Sequence, residues 1–365
     1  MARRLKPTRR SLLAGLGAAA AGLSFAGLEG CGPKAAVGKN GEERKLNLYN
    51  WDTYTGKTTL SDFESQTGIK VKMSLFATND ELFSKLKAGN PGFDVIVPSN
   101  EYVTRMRIAN MLMPLDLEKI PNRVNLLPQF QNPFFDPGRH YSMPYTWLVL
   151  GIGYRKSKMQ GGVPDSWKWL MDSDRYKGRI GLFAEADDLI ELSAKYLGYS
   201  VHDIPIPVID RVAEMLIRQK PNIKIFHNDE GQDLLASGEI DIVMEYNGDI
   251  AQVMSEDPDL DFVVPREGSI INSDCLCIPT GAPRPDNAHQ FINFLLDGKN
   301  GAEIYNTIKY PTPNAAALAL MPDSYRNNKA IFPPPEAMAR CEYARFEGLQ
   351  RAQLYDETLT RIFAS

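Results

Sequence analysis

Carboxylates and aromatic rings recur together where the apolar, alternating runs of this chain end. Trp51, Asp52 and Tyr54 close the first such run, Tyr246 and Asp249 close a later one, and Asp274 and Tyr310 follow further along. Ionised carboxylates pair with ammonium groups through charge-assisted hydrogen bonds. Ring faces attract cations and can cover methylene chains, contributing about 0.5–2 kcal/mol for each well-placed cation. Together the two side-chain types suit a linear molecule of ammonium groups joined by methylenes. Taken singly, each ring is expected to pack as ordinary core or cleft wall.

Glu185 and Asp188 are the nearest approach to a catalytic carboxylate pair, just after an apolar run at 179–183. A glycosidase would also need one of them in a pocket that raises its pKa. The ordinary role of acids at such a junction is to cap the next helix and meet its positive end, and that is the first expectation here. The chain has no phosphate-binding glycine loop, H-E-x-x-H or G-x-S-x-G motif. His140, His202, His227 and His289 lie scattered without ligand spacing, so neither a metal nor a cofactor is implied. Cys275 and Cys277, two apart on one predicted strand, cannot normally pair and read as small buried hydrophobes; Cys341 is the third cysteine of the body.

The elements that must position these residues alternate. Leu46 and Leu48 mark a strand over 45–51, and a helix over 58–66 is stopped by Gly68 before a strand at 69–76. Thr78 and Glu81 form a capping-box pattern that opens a helix with Leu82, Phe83 and Leu86 on one face, ended by Gly89. Residues 94–97 are a short strand delivering Ser99 to a turn. A second alternating block, 151–272, holds strands at 179–183 and 240–246 and a helix at 208–219, and a further helix covers 286–296. This alternation predicts an α/β fold with mainly parallel sheets, whose ligands sit outside the carboxyl ends of the strands.

The first residues read as an export signal. Arg9 and Arg10 precede a Gly/Ala-rich apolar stretch over 11–28, and Leu28-Glu29-Gly30-Cys31 closes it. The arginine pair resembles the twin-arginine type and Cys31 a lipidated cysteine. Retention as a membrane span is the weaker reading, because the stretch is short and rich in small residues. Residues 31–44 would be the lipid-bearing cysteine and a flexible linker. Removing residues 1–30 takes away five basic side chains and one acid, so the formal charge of −4 becomes −8. That balance argues against nucleic acid, whose phosphates need clustered Lys and Arg.

Several motifs then stand together: Asn50-Trp51-Asp52-Thr53-Tyr54, Thr67-Gly68-Ile69-Lys70-Val71, Asp94-Val95-Ile96-Val97-Pro98-Ser99, Tyr141-Ser142-Met143-Pro144-Tyr145-Thr146-Trp147, Leu197-Gly198-Tyr199-Ser200 and Tyr310-Pro311-Thr312-Pro313-Asn314. In order and over essentially the whole body, the chain resembles the spermidine/putrescine-binding proteins of bacterial ABC importers. The resemblance implies a two-lobed clamshell of the type II periplasmic-binding-protein kind. One lobe would comprise 45–149 plus 273–318 and the other 150–272 plus 319–365, with the ligand held between them. It implies an extracytoplasmic monomer that takes up a polyamine, without catalysis, and presents it to a membrane permease and its ATPase, with the membrane met only through lipid on Cys31.

Carried over by motif, Trp51, Tyr54 and Tyr310 match cleft aromatics, Ser99 a polar contact, and Glu185 and Asp188 an ammonium-binding pair. Asp274 matches an acid near the crossing between lobes, Tyr246 stands where Trp is usual, and Asp249 resembles an acid of putrescine-preferring members. Thr53 stands where an acid is common, so an amine contact is expected to be lost or taken over by neighbouring Asp52. Glu101 adds a carboxylate at the rim in place of Tyr, and Asn272 replaces a bulky aromatic, which would widen the cleft or make it wetter. These departures leave putrescine, spermidine and other amines or small cations open. A secreted hydrolase using Glu185 and Asp188, or a sensory receptor without transport, are the alternatives.

Overall fold

The computed structural model describes residues 37–38 and 41–365, so the export, lipidation and Cys31 readings lie outside the described residues. Among the described residues twelve strands form two sheets: β1 (Lys45–Asn50), β2 (Lys70–Leu75), β3 (Val95–Ile96), β4 (Ser142–Pro144), β5 (Leu148–Arg155), β6 (Ile180–Phe183), β7 (Ile223–His227), β8 (Ile242–Tyr246), β9 (Leu260–Val263), β10 (Ile270–Asn272), β11 (Cys275–Cys277) and β12 (Glu342–Tyr343). The first sheet runs β2-β1-β3-β11-β4 and the second β12-β10-β5-β8-β6-β7, with β9 also on β5. Helices flank both, which is the two-lobed α/β architecture.

The sheets are more mixed than strict strand–helix alternation predicts. Parallel pairing joins β1 to β2 and β3, β6 to β7 and β8, and β10 to β12. At the passage from one sheet to the other the pairing is antiparallel, β5 with β8 and β10, and β11 with β3 and β4. A chain that leaves one sheet and enters the next has no room for a covering helix and needs none for antiparallel pairing.

Local chemistry explains the elements that were legible. The helix Thr59–Thr67 buries Phe63, whose ring meets Phe291 and Phe294 edge-on at 4.9 and 5.2 Å. Gly68 ends it in the left-handed region (φ 71°), its N–H donating to Glu64 O at 2.7 Å. The Gly68→Ala variant should lose about 1 kcal/mol of stability, the cost of holding an alanine there; urea unfolding with an unchanged midpoint would contradict this. At Asn79–Lys87, Thr78 Oγ1 accepts from Glu81 N–H at 3.1 Å, and Glu81 in turn accepts from Ala77 N–H at 3.0 Å.

Two short links connect β4 to β5 and β10 to β11, and they are tied to each other. Tyr145 N–H donates to Asp274 O at 2.8 Å and Thr146 N–H to the same oxygen at 3.3 Å. Asn100 fastens a third stretch beside them, accepting from Ser273 N–H at 2.8 Å and donating to Ala344 O at 2.8 Å. Cys275 and Cys277 are fully buried in the apolar cluster of Tyr49, Phe76, Leu82 and Met106. Among the described residues no helix is long and apolar enough to cross a membrane.

Candidate functional site

The chemistry-bearing residues come from the carboxyl ends of the parallel strands and from a link between the sheets. Trp51, Asp52 and Tyr54 follow β1; Ser99 follows β3 and starts the helix Asn100–Ile108. Tyr246 ends β8, and Asp249 lies in the first turn of the helix Asn247–Met254. Asp274 lies in the link from β10 to β11, and Tyr310 follows the helix Gly298–Ile308. Eight of the anticipated residues, Trp51, Asp52, Tyr54, Ser99, Tyr246, Asp249, Asp274 and Tyr310, line one cavity of about 360 Å³ together with Leu148 and Asp229.

Tyrosine hydroxyls hold the carboxylates of this cavity. Tyr54 donates to Asp274 Oδ2 at 2.6 Å while Ser99 Oγ donates to Oδ1 at 2.8 Å, and Asn79 fixes Ser99 at 3.0 Å. Tyr310 donates to Asp249 Oδ2, and Tyr246 to Asp188 Oδ2 at 2.9 Å. The rings brace one another: Tyr54 meets Tyr310 edge-on at 5.0 Å, and the Trp51 indole N–H is anchored on Val97 O at 2.9 Å. Gly248 lets the Tyr310 ring lie on the helix backbone, since a Cβ there would fall 2.2 Å from its Cδ2. Asp52 is exposed and turns its carboxylate onto Thr53 N–H at 2.8 Å, at a positive φ of 48° for Thr53.

Burial raises these acids. It lifts Asp274 to about 6 against the pull of the Tyr54 and Ser99 donors, and Asp249 to about 7 against the Tyr310 donor, with Asp274 adding repulsion. Asp188 rises to about 8 through burial and then Asp187; Asp229 rises to about 8 through burial and then Asp249 and Asp52. None of these four has a cationic side chain at ion-pair distance among the described residues. A cavity of buried acids without counterions has its positive charge still to come.

Three placements differ from the sequence reading. Glu185 occupies the N-cap position of the helix Ala186–Tyr196, yet its side chain caps nothing. Glu185 and Glu101 both line a second cavity of about 960 Å³ rather than the first, so Glu101 is not at the rim of the aromatic cleft. Burial and the surrounding acids raise both well above the usual carboxylate range. Asp188 lies between, on the Tyr246 hydroxyl. Asp229 went unread because its strand, β7, went unread; the alternation of Ile223, Ile225 and His227 was the available signal. Asn272 is 2 % exposed, and its side-chain oxygen has no partner.

The pattern of a family described as bacterial extracellular solute-binding proteins matches residues 58–333. The spermidine/putrescine-binding periplasmic protein of Salmonella typhimurium is 32 % identical over 87 % of this chain and 91 % of its own. The crystal structure of the spermidine/putrescine ABC transporter substrate-binding protein from Streptococcus pneumoniae superposes with a TM-score of 0.75 at 31 % identity, over 88 % of this chain and 98 % of that one. A lipoprotein of Treponema pallidum superposes with a TM-score of 0.76 at 26 % identity, over 87 % and 99 %.

Proposed function

Because the chain belongs to the bacterial extracellular solute-binding protein family, we propose that it captures a polyamine between its lobes outside the cytoplasm and delivers it to the permease and ATPase of an ABC importer. The observation that carries this reading is the set of cation-free acids, Asp188, Asp249 and Asp274 buried and Asp229 half-buried, walled by Trp51, Tyr54, Tyr246 and Tyr310. An ammonium group would take the free lone pairs of Asp274 and Asp249, with Ser99 orienting Asp274. Asp188 and Glu185 would take another, the rings would cover the methylenes between, and Asp52 would meet the ligand at the mouth.

The two sheets support lobes of 45–149 plus 273–318 and 150–272 plus 319–365, joined by the links through Tyr145–Trp147 and Ser273–Asp274. The protein acts as a monomer, without cofactor and without turnover. Residues 1–30 are the export signal and Cys31 the lipid tether in this reading. A calorimetric panel of putrescine, cadaverine, spermidine, spermine and agmatine tests it. Saturable stabilisation is expected, about 2.7 kcal/mol at a hundredfold excess over Kd; silence from every amine would sink the proposal.

The raised acids give two opposite pH slopes. Asp187 and Asp274 at about 6, Asp249 at about 7, and Asp188 and Asp229 at about 8 all bind protons in the folded chain above the unfolded carboxylate value of roughly 4. Between these limits the folded state holds more protons than the unfolded one, so unliganded stability should fall as pH rises through that window. The amines stay charged throughout, and their carboxylate partners must ionise, so affinity should climb from pH 6 to pH 8 with proton release. Melting curves and calorimetry in buffers of different ionisation heat check both slopes; an unliganded melting temperature rising from pH 5 to pH 8 would contradict the first.

A further inference from the structure

The larger cavity holds groups that the site above does not use. It lies between the helix Asn100–Ile108, the helix Ala186–Tyr196 and the C-terminal helix Leu349–Ala364. Asp187 and Glu191, four residues apart, share one face of the second of these helices. Glu191 is 4 % exposed, and among the described residues its carboxylate meets neither a hydrogen-bond donor nor a cation. Tyr355, 3 % exposed, also lines this space, and its hydroxyl is buried without a partner; Glu101 Oε2 is in the same condition. Three guanidinium groups line the same space: Arg105 pairs with Asp80 at 2.9 Å, Arg351 with Glu347 at 3.3 Å, and Arg345 lies over the Phe134 ring at 5.1 Å.

The contrast with the smaller cavity is informative. There a tyrosine hydroxyl satisfies each of Asp274, Asp249 and Asp188, whereas here the Tyr355 hydroxyl and Glu101 Oε2 are buried without a partner and Glu191 accepts no hydrogen bond among the described residues. Leaving such buried polar groups unpaired is costly, and an ammonium group can donate three hydrogen bonds to acceptors around it. The two cavities are also electrically continuous. Glu101 feels Asp187, Asp188 and Asp274, and Glu191 feels Asp187, Glu101 and Asp188.

Resting on the polyamine reading above, we propose that Glu191, Tyr355 and Glu101 form an additional ammonium subsite that receives the far end of a tetraamine, so that the chain prefers long polyamines to diamines. Diamines reach no farther than Asp188 and Glu185. Longer amines continue past Asp188 along the row of acids.

Calorimetry on the full chain with spermine and putrescine tests this. Spermine should bind at least about tenfold tighter than putrescine, and Glu191→Gln and Tyr355→Phe should each weaken spermine about tenfold while moving putrescine less than about twofold. Tyr355→Phe keeps the ring, so it decides the matter if Glu191→Gln fails to fold, and melting of both unliganded variants identifies that case. Equal losses for both amines, or no loss for spermine, would overturn the subsite and leave the polyamine site standing. Failure of putrescine and spermine alike to bind the unaltered chain would overturn both.

Discussion

Replacing Asp274 by Asn lowers polyamine affinity by about thirtyfold or more, equivalent to about 2 kcal/mol, while the unliganded fold survives. The survival follows from the partners of Asp274. Ser99 can go on donating to the amide oxygen, and Tyr54, which also touches the Thr146 hydroxyl, can turn its proton there and accept from the new amide N–H. Removing a buried carboxylate held near pH 6 by burial also relieves the unliganded chain. What disappears is the negative charge that compensates a desolvated ammonium, and no neutral acceptor replaces it. Calorimetry on the variant at pH 8, where the carboxylate is ionised in the unaltered chain, gives the difference its full size. Unchanged affinity would remove Asp274 from the site.

The largest stability effect is expected at the opposite end of the same strands. Asp94 is fully buried and precedes β3; its Oδ2 accepts from Arg284 Nε at 3.1 Å, Arg284 Nη2 at 2.9 Å and Asn47 N–H at 2.7 Å, and its Oδ1 accepts from Arg284 N–H at 2.9 Å. Arg284 is 7 % exposed, and its other ion pair reaches Glu43 at 3.1 Å, nearer the surface. Asp94→Ala therefore strands a buried guanidinium and two backbone N–H groups, at a cost of about 3–5 kcal/mol. Urea denaturation should show a matching drop in midpoint with polyamine affinity of the folded fraction intact. A loss below about 1 kcal/mol would mean that water reaches Arg284 freely.

The parts legible in the sequence were those whose signal is local. Thr78 with Glu81, Gly68, and the apolar faces of residues 58–66, 208–219 and 286–296 announce helices through neighbours within a turn or two. The structure places them at Asn79–Lys87, Thr59–Thr67, Ile206–Gln219 and Pro285–Leu295. β5 was missed because its Leu148–Tyr154 side chains are buried on both faces, which erases alternation. β11 is three residues long, and its two cysteines, two apart on one strand, were its whole signal. Acids and rings at strand ends were readable as a group, since topology sends every strand end to the same edge. Their division into two cavities was not, because it depends on how the helices Asn100–Ile108 and Leu349–Ala364 settle against Ala186–Tyr196. Glu191 and Tyr355 sit within helices, where sequence offers no reason to prefer a ligand over the core.

The hydrogen bond from Tyr310 to Asp249 joins the region of the first sheet to a helix of the second. For anyone building an optical biosensor on this scaffold, that contact limits the swing between dark and bright states. A dye pair spanning the mouth would report little for as long as this bond holds the two regions together. A single environment-sensitive dye near Tyr246 would instead register the change in charge and water around Asp188. Tyr310→Phe would release the latch and widen the dynamic range, trading sensitivity at low analyte for a larger signal.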